Sequence, residues 1–415
     1  MRILLIHQYF LEKNDGGGSR FNEMVRYWSS QGHHITVLGG MVHYATGEKL
    51  EKYKGKFSYT DADFYSNVDV IRSHVSESYN ANFLGRLWAY FSFMFSAIWV
   101  GLFKTKGKYD VILVTSPPLF VGASAYTLSR IRRIPFVFEV RDLWPESAVD
   151  TGVLTNKYII KLAYWFEQFL YKKSKCINVL TPAFREKLIQ KNVPANKICF
   201  IPNAADFNLA EQLKETFNPA EFKIKLGLQN KFVITYVGAH GVANHLIQLV
   251  DAAQYLKNTN VVFQLIGAGM KKQELIDEVN SKNLNEHFIF RGSVPKSEVF
   301  KYILASDMGA SVLKKVDTFK TIYSNKTFDY MSCKKPILLA IDGVSRDLVE
   351  KADCGIYVEP ENPKEIANSI LKIYTKRERL IEMGENGYAY AKKHFDRKKL
   401  ANKYIEELRH ALNNQ

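Results

Sequence analysis

The chain has 415 residues, of which 47% are hydrophobic and 24% are charged. This composition excludes a disordered chain, and the length predicts two domains rather than one core. The formal net charge is +15, and residues 1–205 contain 26 Lys and Arg against 16 Asp and Glu. A basic N-terminal half suits an anionic membrane surface, a phosphorylated acceptor or nucleic acid. The four cysteines have no CxxC spacing, which argues against a zinc site or a disulfide framework.

The first predicted elements are a strand over Arg2–Tyr9, a glycine loop over Asp15–Ser19 and a helix that begins near Phe21. This order is typical of an anion site, because free backbone N–H groups and the positive end of the helix dipole meet there. A plain glycine turn is the alternative. Phe21 occupies the place of the third glycine of the dinucleotide-binding fingerprint, which disfavours a nicotinamide-dependent enzyme. We interpret the apolar N-terminus as the first strand and not as a signal peptide.

A long polar stretch follows the second predicted strand. Met41–Asn67 is too long for a plain connection, and such loops are often functional. It contains Asp61-Ala62-Asp63, a DxD pattern that binds metal in another class of transferase. No strand is predicted to lead into this pattern, so we expect no metal role for it.

An uncharged helix is predicted over Leu87–Phe103, after a strand over Val68–Val75, and it is flanked by Arg86 and Lys104. It is apolar enough to approach the lower limit of a membrane span. Because another sheet strand, Tyr109–Thr115, follows at once, we expect the helix to lie in a membrane interface rather than to cross it. A buried core helix is the alternative that the residues leave open.

Charged residues follow the next buried strand of the first half. Arg141 and Asp142 come just past an apolar run, with Glu146 close by. Open α/β sheets bind ligands at the carboxyl ends of their strands, so these three residues are candidates for a site. A salt-bridged turn is the alternative. The next predicted helix, Lys157–Lys173, has an aromatic face and cationic ends.

The segment Pro202–Asp206 interrupts the alternation of strands and helices, and we interpret it as a hinge and domain boundary. The alternation then resumes, which predicts two doubly wound α/β sheets with a cleft between them. The predicted strands of the second half are Phe232–Val237, Val261–Ile266, Phe288–Phe290, Met308–Val312, Ile337–Ile341 and Ile356–Val358.

One short helix of the second half has a distinctive polar face. Lys326 and Asp329 are three residues apart and share a helix face, whereas Phe328 and Met331 turn to the core. A cation for a diphosphate and an acceptor for sugar hydroxyls suit a nucleotide-sugar pocket. An exposed Lys–Asp pair on an ordinary helix is the alternative.

Four segments together resemble the retaining glycosyltransferases of family 4, and within them the bacterial polysaccharide branch of L-fucosamine and colanic-acid transferases. The resemblance implies an α/β chain of the GT-B fold, with two doubly wound Rossmann-like domains facing a central cleft. Residues 1–205 would form the acceptor-side domain and residues 206–390 the nucleotide-sugar-binding domain. A C-terminal helix in 391–415 would pack back on the first domain. The four segments are the glycine loop, Glu139–Ser147, Ile201–Asp206 and Ser324–Tyr330.

The resemblance also implies roles for individual residues. Asp329 stands at the ribose-binding position of the family's Glu-x7-Glu pattern, whereas Thr321 replaces the first glutamate. The usual Arg and Lys after the first strand of the second domain are absent, which leaves Lys326 as the expected cation for the diphosphate. Arg141 stands where the family has a histidine. The expected donor-binding residues are Gly17, Gly18, Lys326, Asp329, His240, Arg291 and Asn325, and the expected catalytic residues are Asp142, Arg141 and Glu146.

The implied activity is the retaining transfer of an N-acetylamino or deoxyamino sugar from a UDP-sugar to a polyprenyl-diphosphate-linked saccharide. Such a reaction serves O-antigen, capsule or exopolysaccharide synthesis. We expect no metal and no cofactor besides the UDP-sugar co-substrate, and a peripheral location on the cytoplasmic face of the cell membrane. A UDP-sugar 2-epimerase of the same fold is the alternative. Nucleic-acid binding is disfavoured, because aromatic and basic residues do not interleave on one face of residues 157–175.

Overall fold

The structure is a computed structural model, and it describes residues 1–13, 20–43, 47–80, 83–150 and 152–413. The described residues form two compact units. The first unit contains residues 1–13, 20–202 and 398–413, and the second contains Asn203–Arg397.

The first unit is an eight-stranded sheet in the order β3-β4-β2-β1-β5-β6-β7-β8, parallel except for β3. Its central strands, β1 and β5, are mainly apolar and are buried except for Arg2 at the start of β1, as expected for a parallel sheet covered on both faces. The strand order reverses at β1, which pairs with β2 on one side and β5 on the other. The strands are β1 (Arg2–His7), β2 (His34–Gly40), β3 (Ser58–Tyr65), β4 (Val68–Ser73), β5 (Val111–Ser116), β6 (Phe136–Val140), β7 (Cys176–Val179) and β8 (Ile198–Phe200). The helices are α1 (Arg20–Ser30), α2 (Phe83–Phe103), α3 (Val121–Arg132), α4 (Glu146–Asp150), α5 (Lys157–Lys173), α6 (Pro182–Gln190) and, after the second unit, α16 (Arg397–Asn413).

The second unit is a six-stranded parallel sheet in the order β11-β10-β9-β12-β13-β14, with its order reversal between β9 and β12. The observed strands agree with the predicted ones to within one residue at each end. They are β9 (Phe232–Val237), β10 (Val261–Ile266), β11 (Phe288–Arg291), β12 (Met308–Val312), β13 (Ile337–Ala340) and β14 (Gly355–Tyr357). The helices are α7 (Phe207–Thr216), α8 (Pro219–Lys225), α9 (Ile247–Ala253), α10 (Lys272–Ser281), α11 (Lys296–Ala305), α12 (Asn325–Ser332), α13 (Val344–Lys351), α14 (Pro363–Ile373) and α15 (Arg377–His394).

The prediction of a strandless stretch over Met41–Asn67 is wrong, because β3 lies within it and pairs antiparallel with β4. The turn between the two strands contains Asn67, whose φ of 60° is in the left-handed region that asparagine tolerates. Asp61, on β3, accepts hydrogen bonds from Lys52 and Arg72, each at 3.0 Å. These cations lie outside β3, with Arg72 on the neighbouring strand β4, and local polarity alone could not predict this strand.

The predicted helix Leu87–Phe103 starts earlier in the structure, as α2. By length and composition alone, Leu84–Phe103 could cross a membrane. However, Ala89, Phe93 and Ala97 are fully buried, because α2 packs on α3, β2 and β4. The opposite face exposes large apolar side chains, including Trp88. The helix is therefore neither a free span nor wholly core: it covers the sheet with one face and exposes the other.

A buried carboxylate holds the first unit together. Glu139, on β6, is fully buried and accepts hydrogen bonds from Nε and Nη2 of Arg20, each at 3.1 Å. It also accepts hydrogen bonds from the Asn178 amide at 2.8 Å and from the Tyr404 hydroxyl, on α16, at 2.9 Å. The first residue of the Glu139–Ser147 motif thus joins α1, β6, β7 and the C-terminal helix, and its contacts are structural.

Candidate functional site

Two glycine-containing loops lie side by side at the carboxyl ends of two neighbouring strands, β9 and β10, of the second unit. Gly238 follows β9 and Gly267 follows β10, with φ values of 144° and 146°. Backbone hydrogen bonds join the loops, from Gly238 N to Ile266 O at 3.0 Å and from His240 N to Ala268 O at 2.9 Å. A Cβ atom on Gly267 would overlap the carbonyl oxygen of Gly238. Glycine is therefore required by both the backbone conformation and the close approach.

Helix α12 is fixed to this edge by Tyr330. The Tyr330 hydroxyl donates to Thr235 O or Ala310 O, at 3.1 and 3.0 Å, and accepts from Val237 N at 3.2 Å. Its ring lies where a Cβ atom of Gly309 would be. The predicted core positions Phe328 and Met331 are indeed buried. This packing presents the N-terminal turn of α12 next to the Gly238 loop.

Lys326 lies at that turn, with its ammonium 5.0 Å from the centre of the Tyr236 ring. Its Cε atom would be 3.5 Å from a Cβ placed on Gly238. Within the described residues, the ammonium has no hydrogen bond or ion pair. Burial lowers the pKa of Lys326 to about 8, although Asp329 acts in the opposite direction. A half-buried amine with this pKa remains mostly charged at pH 7, so it can form an ion pair with an anionic ligand.

The other expected residues of α12 lie around Lys326. Asp329 is half-buried, one turn further along α12. Asn325 is exposed as the first residue of α12. Lys326 and Asp329, the expected cation and the expected hydrogen-bond acceptor, therefore lie on one face of α12, as their spacing predicts.

His240 is completely buried, and neither ring nitrogen has a hydrogen-bond partner in the described part of the chain. Burial, and secondarily Lys272, lower its pKa to about 4, so the ring is neutral near pH 7. Lys272 donates to Gly267 O at 3.1 Å and to Arg291 O at 2.7 Å, which fixes the second glycine loop. Sequence reasoning missed Lys272; a lysine opening a helix after a Gly-x-Gly loop was the available signal.

Arg291 has side-chain partners of its own. Its Nε donates to Gln264 Oε1 at 2.8 Å, and its guanidinium lies 4.9 Å from the centre of the Tyr302 ring. Gln264 in turn donates to Thr235 Oγ1 at 3.1 Å. The Arg291 side chain is thus engaged by other residues of the unit, which makes it a weaker candidate for anion binding than Lys326.

In the first unit, His7 ends β1 at the reversal of the strand order. It is buried, and its Nδ1 has no hydrogen-bond partner in the described ranges. Burial lowers its pKa well below the ordinary value, and the positive charges of Arg141 and Arg72 lower it further. Sequence reasoning missed this neutral histidine; a polar residue closing an apolar central strand was the signal.

The expected catalytic carboxylates follow β6. Asp142 accepts a hydrogen bond from Ser147 Oγ at 2.9 Å. Burial raises its pKa, and the nearby Glu146 raises it too. Glu146, the first residue of α4, forms an ion pair with Lys191. The structure thus brings Asp142 and Glu146 close together, with Arg141 near His7. The ion pair of Glu146 with Lys191 agrees in part with the alternative of a salt-bridged turn.

Two expected donor-binding residues, Gly17 and Gly18, lie outside the described residues. Among the residues that the structure does describe, no group of three or more His, Cys, Asp or Glu could hold a metal ion.

Two family models match this chain, and each covers most of one half. The model described as Glycosyl transferase 4-like domain matches residues 15–204, and that of Glycosyl transferases group 1 matches residues 218–390.

Curated relatives have lower but extended similarity. WcaI of Escherichia coli K12, named for colanic acid biosynthesis, is 22% identical over 294 residues, which is 70% of this chain and 71% of the relative. The alpha-D-kanosaminyltransferase of Streptomyces kanamyceticus is 21% identical over 272 residues, or 64% of this chain and 68% of the relative.

Solved structures share the fold. HepE of Anabaena, in complex with UDP-glucose, has a TM-score of 0.71 at 19% identity and covers 99% of this chain and 100% of its own. The sucrose-phosphate synthase of Thermosynechococcus elongatus has a TM-score of 0.71 at 14% identity, covering 100% of both chains. The two matching family models confirm the resemblance drawn from the motifs, and the solved structures confirm the fold: the chain belongs to the family 4 glycosyltransferases and has the GT-B fold.

Proposed function

We propose that this enzyme transfers an N-acetylamino or deoxyamino sugar from a UDP-sugar to a polyprenyl-diphosphate-linked saccharide, with retention of configuration. The observation that carries the donor half is Lys326, a half-buried amine that has no hydrogen bond or ion pair within the described residues and lies beside two interlocked glycine loops. HepE, which has the same fold, is described in complex with UDP and with UDP-glucose. The names of WcaI and the kanosaminyltransferase support the polysaccharide context and the amino sugar.

In the proposed donor site, Lys326 offsets the charge of the diphosphate and Asp329 accepts hydrogen bonds from the ribose. Asn325, at the start of the same helix, is a further polar group for the donor, and Gly17 and Gly18 would add backbone N–H groups. The neutral His240 can donate one hydrogen bond without adding charge, which suits a phosphate or sugar oxygen. Fixed charges and dipoles of this kind stabilise a departing diphosphate, because they need no reorganisation during the reaction.

For the acceptor half, we propose that Asp142 or Glu146 orients the attacking hydroxyl, with Arg141 adjacent. In a retaining reaction without a covalent enzyme intermediate, the hydroxyl attacks from the face that the leaving group vacates. The new glycosidic bond forms as the sugar–phosphate bond breaks, and the departing phosphate oxygen takes the hydroxyl proton. The carboxylate then positions the hydroxyl and does not need to keep its proton.

The lipid-linked acceptor calls for a membrane, and the first unit has a surface that suits one. Three helices of one layer, α2, α3 and α5, pack side by side. Trp88 on α2 is 58% exposed, and Leu162 and Trp165 on α5 are each 61% exposed. Exposed lysines, including Lys104 and Lys161, accompany these side chains. Apolar side chains among cations are typical of a peripheral surface on anionic lipid, so we propose a location on the cytoplasmic face of the cell membrane.

A direct experiment tests the donor proposal. Purified protein is mixed with UDP-, GDP- and dTDP-sugars, and thermal stabilisation reports which nucleotide sugar binds. The stabilising donor is then incubated with a polyprenyl-diphosphate-linked saccharide, and the anomeric configuration of the product is read by NMR. We expect stabilisation by UDP-sugars and a retained configuration; an inverted product or no preference for UDP would contradict the proposal.

The alternative of a UDP-sugar 2-epimerase is disfavoured, because both matching family models are those of glycosyl transferases. Incubation with UDP-GlcNAc alone distinguishes the two activities. An epimerase converts it to the 2-epimer without an acceptor, and the transferase does not.

A further inference from the structure

A second carboxylate shares the lysine that holds Glu146. Lys191, which follows α6, is ion-paired with Glu146 and also donates to Glu167 at 2.6 and 2.8 Å. Glu167 lies on α5 and its side chain is fully buried. It accepts a third hydrogen bond, from the Tyr171 hydroxyl, at 2.8 Å. One cation therefore serves two carboxylates, and one of these is a proposed acceptor-site residue.

The groups around Glu167 come from α5 itself and from two further parts of the first unit. Tyr171 lies on α5 itself, Lys191 follows α6, and Glu146 belongs to α4. Tyr164 on α5 also lies near, with its ring 5.4 Å from the Lys191 ammonium. One positive charge faces two carboxyl groups, so the cluster would carry an excess negative charge if both were ionised.

The local charges indicate which carboxyl group takes the proton. Burial raises the pKa of Glu167 to about 7; Lys191 lowers it, and Glu146 raises it further. Glu167 therefore changes its charge near neutral pH. The side chain of the other carboxylate, Glu146, is 24% exposed and remains in contact with solvent. One of its oxygens, Oε2, is buried without a hydrogen-bond partner in the described part of the chain.

We propose that Glu167 is a positioning residue that controls Glu146 through Lys191, in support of the proposed transferase reaction. When Glu167 is protonated, Glu146 is the one carboxylate of the described residues that still pairs with Lys191, and the lysine holds it firmly. When Glu167 loses its proton, it competes for the same ammonium, and Glu146 becomes more available to accept a hydrogen bond from the acceptor hydroxyl. The inference rests on the proposed function, because Glu146 acts on the acceptor only if the enzyme is such a transferase.

The test compares the pH dependence of transfer in three variants. In the native enzyme, we expect kcat/KM to rise as the pH increases through about 7, where Glu167 loses its proton. Glu167→Gln fixes the neutral state in nearly the same shape, so this rise disappears and the rate at pH 8 falls to the native low-pH level. Lys191→Gln removes the ammonium that Glu146 and Glu167 share, so Glu167 can no longer control Glu146 and the rise should disappear. Glu186→Gln, an exposed change on α6, should leave the native profile unchanged.

A second measurement does not need turnover. A carboxyl group whose pKa is higher in the folded state than in the unfolded state binds the proton more tightly when folded. Resistance to urea should therefore fall as the pH rises from about 4.5 to about 7, and Glu167→Gln should abolish that part of the fall.

The outcomes separate the inference from the proposed function. If the enzyme transfers sugar but Glu167→Gln has the native pH profile, the positioning role is wrong and the transferase proposal stands. If no transfer occurs with any donor, the transferase proposal fails. In that case, an unchanged pH dependence of urea unfolding in Glu167→Gln would also overturn the charge state inferred for the cluster.

Discussion

The ammonium of Lys326 lies 5.0 Å from the centre of the Tyr236 ring, and among the residues that the structure describes it has no hydrogen bond or ion pair. A cation–π contact of this kind is worth roughly 0.5–2 kcal/mol, less than the desolvation of a buried ammonium. The position therefore opposes folding to some degree and favours an anionic ligand. Functional sites often keep such residues, because selection for ligand binding tolerates a cost in folding stability.

Replacement of Lys326 by methionine should weaken UDP binding by about 10- to 100-fold. A hydrogen bond to a charged group contributes roughly 1.5–3 kcal/mol, and each 1.4 kcal/mol is a factor of ten. Isothermal titration calorimetry measures the affinity. Lys320→Met is the matched control, because Lys320 is exposed and paired with Asp317 at 2.8 Å. Unchanged affinity in Lys326→Met would show that the diphosphate is bound elsewhere.

Donor binding should take up a proton near pH 8. The pKa of Lys326 is about 8 in the free protein, and a bound diphosphate would raise it. The affinity for UDP is therefore full below pH 8 and falls above it, by up to about tenfold per pH unit. Calorimetry at pH 8 in two buffers of different ionisation enthalpy measures the proton uptake. Lys326→Met should show none of it; equal uptake in both proteins would assign the proton to another group.

Gly267→Ala should destabilise the second unit by about 2–4 kcal/mol, because the new methyl group would overlap Gly238 O and the φ of 146° disfavours alanine. Urea unfolding measures the change. Gly292→Ala is the control, since no heavy atom lies within 4 Å of a Cβ atom at that position. If both variants are equally stable, the two loops do not approach each other as described.

Glu139→Ala should cost about 3–5 kcal/mol of unfolding free energy, because it leaves the buried guanidinium of Arg20 without its carboxylate. Tyr404→Phe removes only one hydrogen bond to that carboxylate and should cost about 1–2 kcal/mol. Both values come from urea unfolding, with Tyr255→Phe as an exposed control. If the Glu139→Ala variant is as stable as the native enzyme, the structural role assigned to Glu139 is wrong.

The double change Leu162→Ser and Trp165→Ser should weaken binding to vesicles rich in anionic lipid by about 10- to 100-fold. Full burial of a large apolar side chain contributes roughly 1.5–3 kcal/mol, and partial insertion into a membrane interface provides a fraction of that energy. Co-sedimentation with vesicles measures the partitioning, and added salt should weaken it further. Tyr255→Ser is the control, because Tyr255 is an exposed aromatic residue of the second unit. Equal binding by both variants would place the membrane contact elsewhere.

The sequence by itself predicted most elements, because burial imposes a period of two residues on strands and about 3.6 on helices. It also placed Lys326 and Asp329 on one helix face, with Phe328 buried behind them, since spacing within a helix fixes which residues share a face. β3 escaped prediction because its polar residues are stabilised by partners on other elements.

Only the tertiary structure decided the charge environment of each side chain. Glu146 and Lys191 are distant in sequence and touch because α4 and the end of α6 pack together in the first unit. The structure likewise shows that the Lys326 ammonium has no counter-ion in the described residues and that Glu139 holds three elements. Distances between elements depend on how whole surfaces pack, and no local spacing specifies them; the pKa of each buried group follows from those distances.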